Sequence, residues 1–174
     1  MSKISKNQHV LDRKKVLQEL QYNAKDTIDQ IAKRCGFSRQ KVWRIIKQLE
    51  KEKAIWGYRA VADNEKFQMN RYVLLFKKTN KPMSELVSTI ISRELEKKVK
   101  TIGITIESSS YLNGSFDWMI IFTAVDIWQA KQFVDIFHKV YPNVVAESFL
   151  LEELFPIKTS GLVNPNMDRF KEFS

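Results

Sequence analysis

The chain is poor in the residues that build catalytic and metal sites. One cysteine and two histidines among 174 residues leave no internal disulfide and no ligand cluster for zinc, which takes Cys, His or carboxylate donors in a recognisable spacing. Five glycines and four prolines leave little material for a phosphate cradle, and G-x-x-x-x-G-K-[ST], G-x-G-x-x-G and G-x-S-x-G are all missing. No metal, cofactor or enzymatic activity is expected. Apolar runs of about eighteen residues are also missing, and the N-terminal MSKISKNQHVLD has no apolar stretch of signal-peptide type, so no membrane partner is expected and the expected location is the cytoplasm. Glu152 and Glu153 are adjacent, which puts the two carboxylates on opposite faces of a strand, and Ser108 to Ser110 has no base near it in sequence. Cys35 falls at an apolar helical position and reads as a small buried hydrophobe. Trp128, Phe133 and Phe137 fall at helical spacing and read as core, with His138 on the helix surface.

Positive charge is what the chain has in excess, and it is unevenly placed. Net charge is +9, yet residues 1–66 hold 16 Lys or Arg against 8 Asp or Glu (net +8), while residues 67–174 hold 13 against 12 (net +1). A basic first third beside a neutral remainder points to a polyanionic partner for the one and a different task for the other. A merely solvated basic face would carry the same charge, so helix geometry has to decide.

Three helices are predicted from residue 11 onward. Asp12 is placed to cap the first, with Leu11 and Val16 as a hydrophobic staple and Val16, Leu17 and Leu20 as its buried stripe. Thr27 and Gln30 have the capping-box spacing for the second, which turns Ile28, Ile31, Ala32 and Cys35 inward. Gly36 stops it cheaply in the left-handed region, and Ser38 is the N-cap of a third helix reaching about Lys53. Val42, Ile45, Ile46 and Leu49 form the buried stripe of that helix, which leaves Gln40, Trp43, Arg44 and Lys47 on the opposite side at the same i, i+3, i+4, i+7 spacing. An amide, two cations and an aromatic on one face suit a major groove: Arg reads guanine, Gln reads adenine, and apolar surface meets the thymine methyl. Arg39, Lys41, Lys33 and Arg34 lie beside this face or on the preceding helix, placed for phosphates, and Ser38 is counted with the DNA-binding residues at the start of the helix. Ser38 is first of all a cap, and Trp43 has a second outlet, packing against the following segment or a partner.

The segment Ile55 to Val61 (IWGYRAV) reads as a short strand or wing, followed by a polar linker. Strands are expected over 71–77, 100–109, 116–124 and 144–154, with helices over 82–98 and 126–140. Asn113-Gly114 marks a hairpin between the middle strands. The order β-α-β-β-α-β is the ferredoxin-like arrangement, whose sheet has helices on one face only, so a second copy is the expected cover for the other. The fold class is therefore α+β: a winged helix-turn-helix domain (1–62), a linker (63–70), a ferredoxin-like domain (71–158) and a tail (159–174).

Residues 11–61 resemble the DNA-binding half of the Lrp/AsnC family, the leucine-responsive and asparagine-synthetase regulators. The resemblance rests on Leu11-Asp12, Ile31-Ala32, Gly36-Phe37-Ser38, Arg44, Leu49-Glu50 and Ile55 to Tyr58. In the second half Gly114-Ser115-Phe116-Asp117 matches the family's G-x-[YF]-D element. It spans about residues 10–158, lacks the glycine often found after the wing, and leaves the tail unmatched. The resemblance implies a prokaryotic transcription regulator that binds double-stranded DNA, pairs through its second-domain sheet into a homodimer or higher homo-oligomer, and takes an amino-acid effector near Gly114, Ser115, Phe116 and Asp117. Alternatively, Asn113-Gly114 is only a turn and Asp117 serves it or an interface. A rival reading of the whole chain is a small-molecule-binding assembly domain whose basic module tethers it to DNA of any sequence.

Overall fold

The structure, a computed structural model, describes residues 3–173. It divides into two units, one formed by the chain up to Val61 together with the segment from Ile157 onward, the other by Ala62–Pro156.

In the first unit α1 (Lys3–Tyr22), α2 (Ile28–Cys35) and α3 (Arg39–Lys51) bury a single core. Val16 and Leu20 of α1, Ile31, Ala32 and Cys35 of α2, and Val42, Ile45 and Leu49 of α3 close on one another, with Leu17, Ile28, Phe37, Ile46 and Ile55 partly buried around them. Each fully buried aliphatic chain in such a set contributes roughly 1.5–3 kcal/mol. The caps of α2 and α3 form where the sequence places them. Gln30 N donates to Thr27 Oγ1 at 3.3 Å and Thr27 N donates to Gln30 Oε1 at 2.8 Å. Gly36 sits at φ 67°, and Lys41 N donates to Ser38 Oγ at 3.2 Å. A left-handed glycine followed two residues later by an N-cap turns α2 directly into α3.

Two expectations for this unit are corrected. Asp12 does not start α1: the helix begins at Lys3, and Asp12 lies in its middle with Leu11 exposed. The residues ahead of Val16 are mostly polar, with too few apolar positions among them to mark a helical period, so the upstream turns left little trace in the pattern. Asp12 instead accepts from Gln8 Nε2 at 3.0 Å and pairs with Lys41 Nζ at 2.7 Å. The segment after α3 forms no strand either. Residues 54–61 carry no ladder, and Trp56 is 96% exposed. A strand needs a partner edge, and the paired strands of this unit among the described residues are β5 (Lys158–Thr159) and β6 (Leu162–Val163), which pair with each other. Ser160 (φ 49°) and Gly161 (φ 88°) turn that hairpin, and a 3-10 helix (Met167–Phe173) follows it.

The second unit is a four-stranded antiparallel sheet in the order β2-β3-β1-β4, built from β1 (Asn70–Lys78), β2 (Thr105–Tyr111), β3 (Trp118–Ala124) and β4 (Val145–Glu152). Tyr72, Leu74, Phe76, Ile120 and Phe122 point to one face and bury against Leu95, Val99, Ala130, Phe133 and Phe137, which come from α5 (Glu94–Lys100) and α6 (Ile127–Val140). Asp126 caps α6, accepting from Gln129 N at 2.8 Å. Alternation sends Val73, Leu75, Met119, Ile121, Phe149 and Leu151 to the other face, in register across β3, β1 and β4. Phe149 and Leu151 there are 44% and 48% exposed.

The helix expected over 82–98 is broken into a 3-10 turn (Met83–Glu85), α4 (Val87–Ile91) and α5, with Arg93 at φ 55° between the last two. Val87, Thr89, Ile90 and Ile91 are β-branched and hold a helix poorly, and Ser92 Oγ donates to Thr89 O at 2.8 Å. β2 begins later than expected because α5 runs through Lys100 and Gly103 turns the chain at φ 80°. The β2–β3 hairpin exists, but its loop spans 112–117, closed by Leu112 N donating to Asp117 O at 2.7 Å. Gly114 is not among the positive-φ residues, so the two-residue primed turn that Asn-Gly favours is not used.

The Asp12 pair makes stability depend on pH. Hydrogen bonds from Lys41 and Gln8 hold the Asp12 carboxyl below its ordinary range. Its contribution is therefore present above about pH 4 and is lost as pH falls through the lowered value. Asp12→Asn should be less stable than the wild type in urea unfolding at neutral pH, with the two curves converging in acid. A difference of constant size at every pH contradicts the assignment.

Candidate nucleic-acid interface

Because Val42, Ile45 and Leu49 of α3 are at most 5% exposed, the opposite side of the helix has to face outward. Gln40, Trp43, Arg44 and Lys47 are all exposed, with Trp43 at 49%. These four residues therefore share one accessible face. Arg44 makes no ion pair among the described residues, which leaves its guanidinium able to donate a bidentate pair of hydrogen bonds.

The flanking residues differ in how far they are committed. Ser38 serves as the cap of α3. Arg39 is 70% exposed and approaches Asp29 at 3.4 Å, a contact too solvated to hold it. Lys41 is engaged inside the unit: its ammonium lies 3.8 Å from the Phe37 ring centroid while pairing with Asp12. Arg34 is also tied down, bonded to Glu19 at 2.5 Å and to Asp26, and Arg13 is bonded to Glu52. Lys47 donates to Glu50 Oε2 at 2.9 Å. Arg13, Arg34 and Lys41 thus tighten the three-helix unit, while Gln40, Trp43, Arg44 and Arg39 stay exposed on or beside the outward face of α3.

Sequence reasoning marked Glu50 and Tyr58 only through the resemblance and missed that they pair. Tyr58 Oη donates to Glu50 Oε1 at 3.0 Å, linking the segment after α3 back to the helix. Lys47 and Tyr58 together hold the Glu50 carboxyl below its ordinary range, while burial and the Glu50 charge raise the Tyr58 hydroxyl. The signal was an acidic residue in the last turn of α3, where the helix dipole disfavours one.

The G-x-[YF]-D residues of the second unit separate in role. Gly114 and Ser115 are exposed at the loop tip. Phe116 is half-buried, its ring edge-on to Phe149 at 5.5 Å on the helix-free sheet face. Asp117 bridges strands: its Oδ2 accepts from Lys78 N at 2.8 Å, and its own N donates to Phe76 O at 3.0 Å. Beside it lies a cavity of about 20 Å³ with an apolar surface, walled chiefly by Phe76, Trp118, Phe137 and Tyr141. Burial pushes the Tyr141 hydroxyl up to about 12, so it remains a neutral donor at ordinary pH.

Residues 13–55 match the family model described as winged helix-turn-helix DNA-binding. A search of curated proteins returns no match. Among solved structures, an AsnC family transcriptional regulator from Agrobacterium tumefaciens has TM-score 0.63 at 17% identity, over 90% of this chain and 97% of that one. A transcriptional regulator from Neisseria meningitidis, solved as its L-Met complex, has TM-score 0.63 at 19% identity, over 90% and 96%. A feast or famine regulatory protein from M. tuberculosis, complexed with L-methionine, has TM-score 0.63 at 15% identity, over 84% and 92%. The fold, a helix-turn-helix unit followed by a β-α-β-β-α-β sheet domain, is that of the AsnC-type regulators. No helix among the described residues is long and apolar enough to cross a membrane.

The different engagement of Lys41 and Arg44 gives a stability test. Lys41→Met leaves Asp12 without its cation and removes the contact over Phe37, which should cost roughly 1 kcal/mol. Arg44→Ala should stay within about 0.5 kcal/mol of the wild type. Thermal unfolding of both variants distinguishes the roles, and equal losses would contradict them.

Proposed function

We propose that this chain, built on the AsnC-type fold, is a sequence-specific DNA-binding transcription regulator that works as a homo-oligomer in the cytoplasm and answers to an amino acid. The observation that carries the reading is the outward face of α3, where Gln40, Trp43 and Arg44 stand exposed in the second helix of a capped helix-turn-helix. Arg44 and Gln40 are the base readers, Trp43 supplies apolar contact, and Arg39 and the Ser38 end of the helix meet phosphate. Lys41 acts on the duplex only through the helix it positions. Lys47 stands at the far end of the face, paired with Glu50.

The helix-free sheet face supports pairing of two copies. An apolar stripe of Val73, Leu75, Ile121, Phe149 and Leu151 left uncovered is unusual in a monomer, and a two-fold partner buries it against itself. Paired units then present two α3 helices to half-sites about one helical turn apart, or a multiple of it. The L-methionine complexes of the Neisseria and M. tuberculosis relatives favour an amino-acid effector, with the loop Gly114–Asp117 as the place to look. A regulator needs no catalytic chemistry, and the reading assigns none.

Selection of bound duplexes from a random pool, with and without an amino-acid panel, tests the function. A recovered palindrome is expected. On that sequence Arg44→Ala should weaken binding by roughly 1–3 kcal/mol while sparing random duplex. Equal loss on both would reject base reading, and failure to enrich any sequence would favour the tethering alternative. Leu151→Glu, which adds charge at an exposed position of the open sheet face, should lower the mass seen in sedimentation equilibrium. An unchanged mass would place the interface elsewhere.

A further inference from the structure

Glu50 is placed against electrostatic expectation. It lies in the last turn of α3, whose C-terminal dipole disfavours a carboxylate, and three residues beyond Lys47 on a helix offered to a polyanion. Both its oxygens are nonetheless committed: Oε2 to Lys47 Nζ at 2.9 Å and Oε1 to Tyr58 Oη at 3.0 Å. An ordinary exposed i,i+3 pair would engage one oxygen and contribute little. The second bond reaches a segment that has no strand ladder to hold it. Ala54 N and Ile55 N donate to Leu49 O at 2.9 and 3.2 Å, Ile55 packs on the core, and beyond Ile55 the Tyr58 hydroxyl ties the segment back to α3. Between these anchors lies Trp56, 96% exposed, a large aromatic whose solvent exposure costs free energy unless it meets a partner.

We propose that Glu50 is the positioning residue of the DNA-binding face: one oxygen fixes the arm Ile55–Tyr58 so that Trp56 stands beside the recognition helix as a second contact on the duplex, and the other restrains Lys47 from the phosphates. The inference rests on the DNA-binding function proposed above. Its consequence is a trade. By restraining one cation and presenting an acidic group, Glu50 lowers sequence-blind attraction, and by holding the arm it adds a contact made only when the helix is correctly seated.

Two variants separate the two oxygens, each measured on the selected palindrome and on random duplex across a salt series. Glu50→Gln keeps an acceptor for Tyr58 but removes the charge from Lys47. It should bind both duplexes several-fold more tightly, with a salt slope steeper by about one phosphate contact and a smaller ratio between the two affinities. Tyr58→Phe leaves the Glu50–Lys47 pair and removes one exposed hydroxyl. It should keep the wild-type salt slope, lose several-fold affinity on the palindrome alone, and lose hydroxyl-radical protection at the positions flanking the α3 footprint. An unchanged slope in Glu50→Gln, or an unchanged footprint and affinity in Tyr58→Phe, overturns the assignment of the corresponding oxygen. Should Glu50→Gln not fold, the Tyr58→Phe footprint decides alone. A wild type that binds both duplexes equally overturns the parent function and this inference with it, whereas a selective wild type with unaltered variants overturns only this inference.

Discussion

Burial of one stripe of α3 is the constraint from which the rest of the first unit follows. With Val42, Ile45 and Leu49 sealed against α1 and α2, a rotation of the helix that hid Trp43 or Arg44 would expose three aliphatic chains, at roughly 1.5–3 kcal/mol each. The side facing solvent is therefore set by packing and not by the outward residues themselves. The Gly36 turn and the Ser38 cap fix where the helix begins, and hence which residues occupy its first two turns, the part of such a helix that reaches base edges. A hydrophobic contact set inside the protein thus decides which polar groups are available outside it.

Charge follows a similar division of labour. The first third is strongly basic, but Arg13, Arg34 and Lys41 are paired with Glu52, Glu19, Asp26 and Asp12. These pairs tie α1 to α2 and α3 and steady the angle at which α3 is presented. Arg44 makes no ion pair among the described residues, while Lys47 and Tyr58 are both bonded to Glu50. In the second unit the helix layer closes one sheet face around Phe122 and Phe133, stacked at 4.0 Å, and leaves an apolar face open. The outward face of α3 and the open apolar sheet face thus belong to different units.

The features legible in the sequence were those that local chemistry controls. The Thr27–Gln30 box, the Gly36 stop, the Ser38 cap, the buried stripe of α3 and the β-α-β-β-α-β order each depend on residues within a few positions of one another. The unreadable features depend on partners distant in sequence or on missing ones. Asp12 has the residue type of a cap, and only its contact with Lys41 explains it in mid-helix. Apolar periodicity over 82–98 predicted one helix, whereas β-branched crowding and Arg93 split it. The alternation in IWGYRAV looked like a strand because alternation says nothing about whether an edge exists to pair with. Glu50 and Tyr58, eight positions apart across a helix end, were visible as residues but not as a pair. Asp117 was marked by a motif, yet its bond to the Lys78 backbone shows that it also holds β1 and β3 in place, so a structural duty accompanies any ligand duty.

The central claim is that the exposed side of α3 meets the duplex. Chemical-shift mapping of the isotopically labelled full chain, titrated with its selected palindrome, tests it most directly. The account predicts the largest perturbations at the amides of Ser38–Arg44, the Trp43 indole N–H and the Arg44 guanidinium. Saturable binding that leaves those signals unmoved while shifting residues of another surface would contradict it.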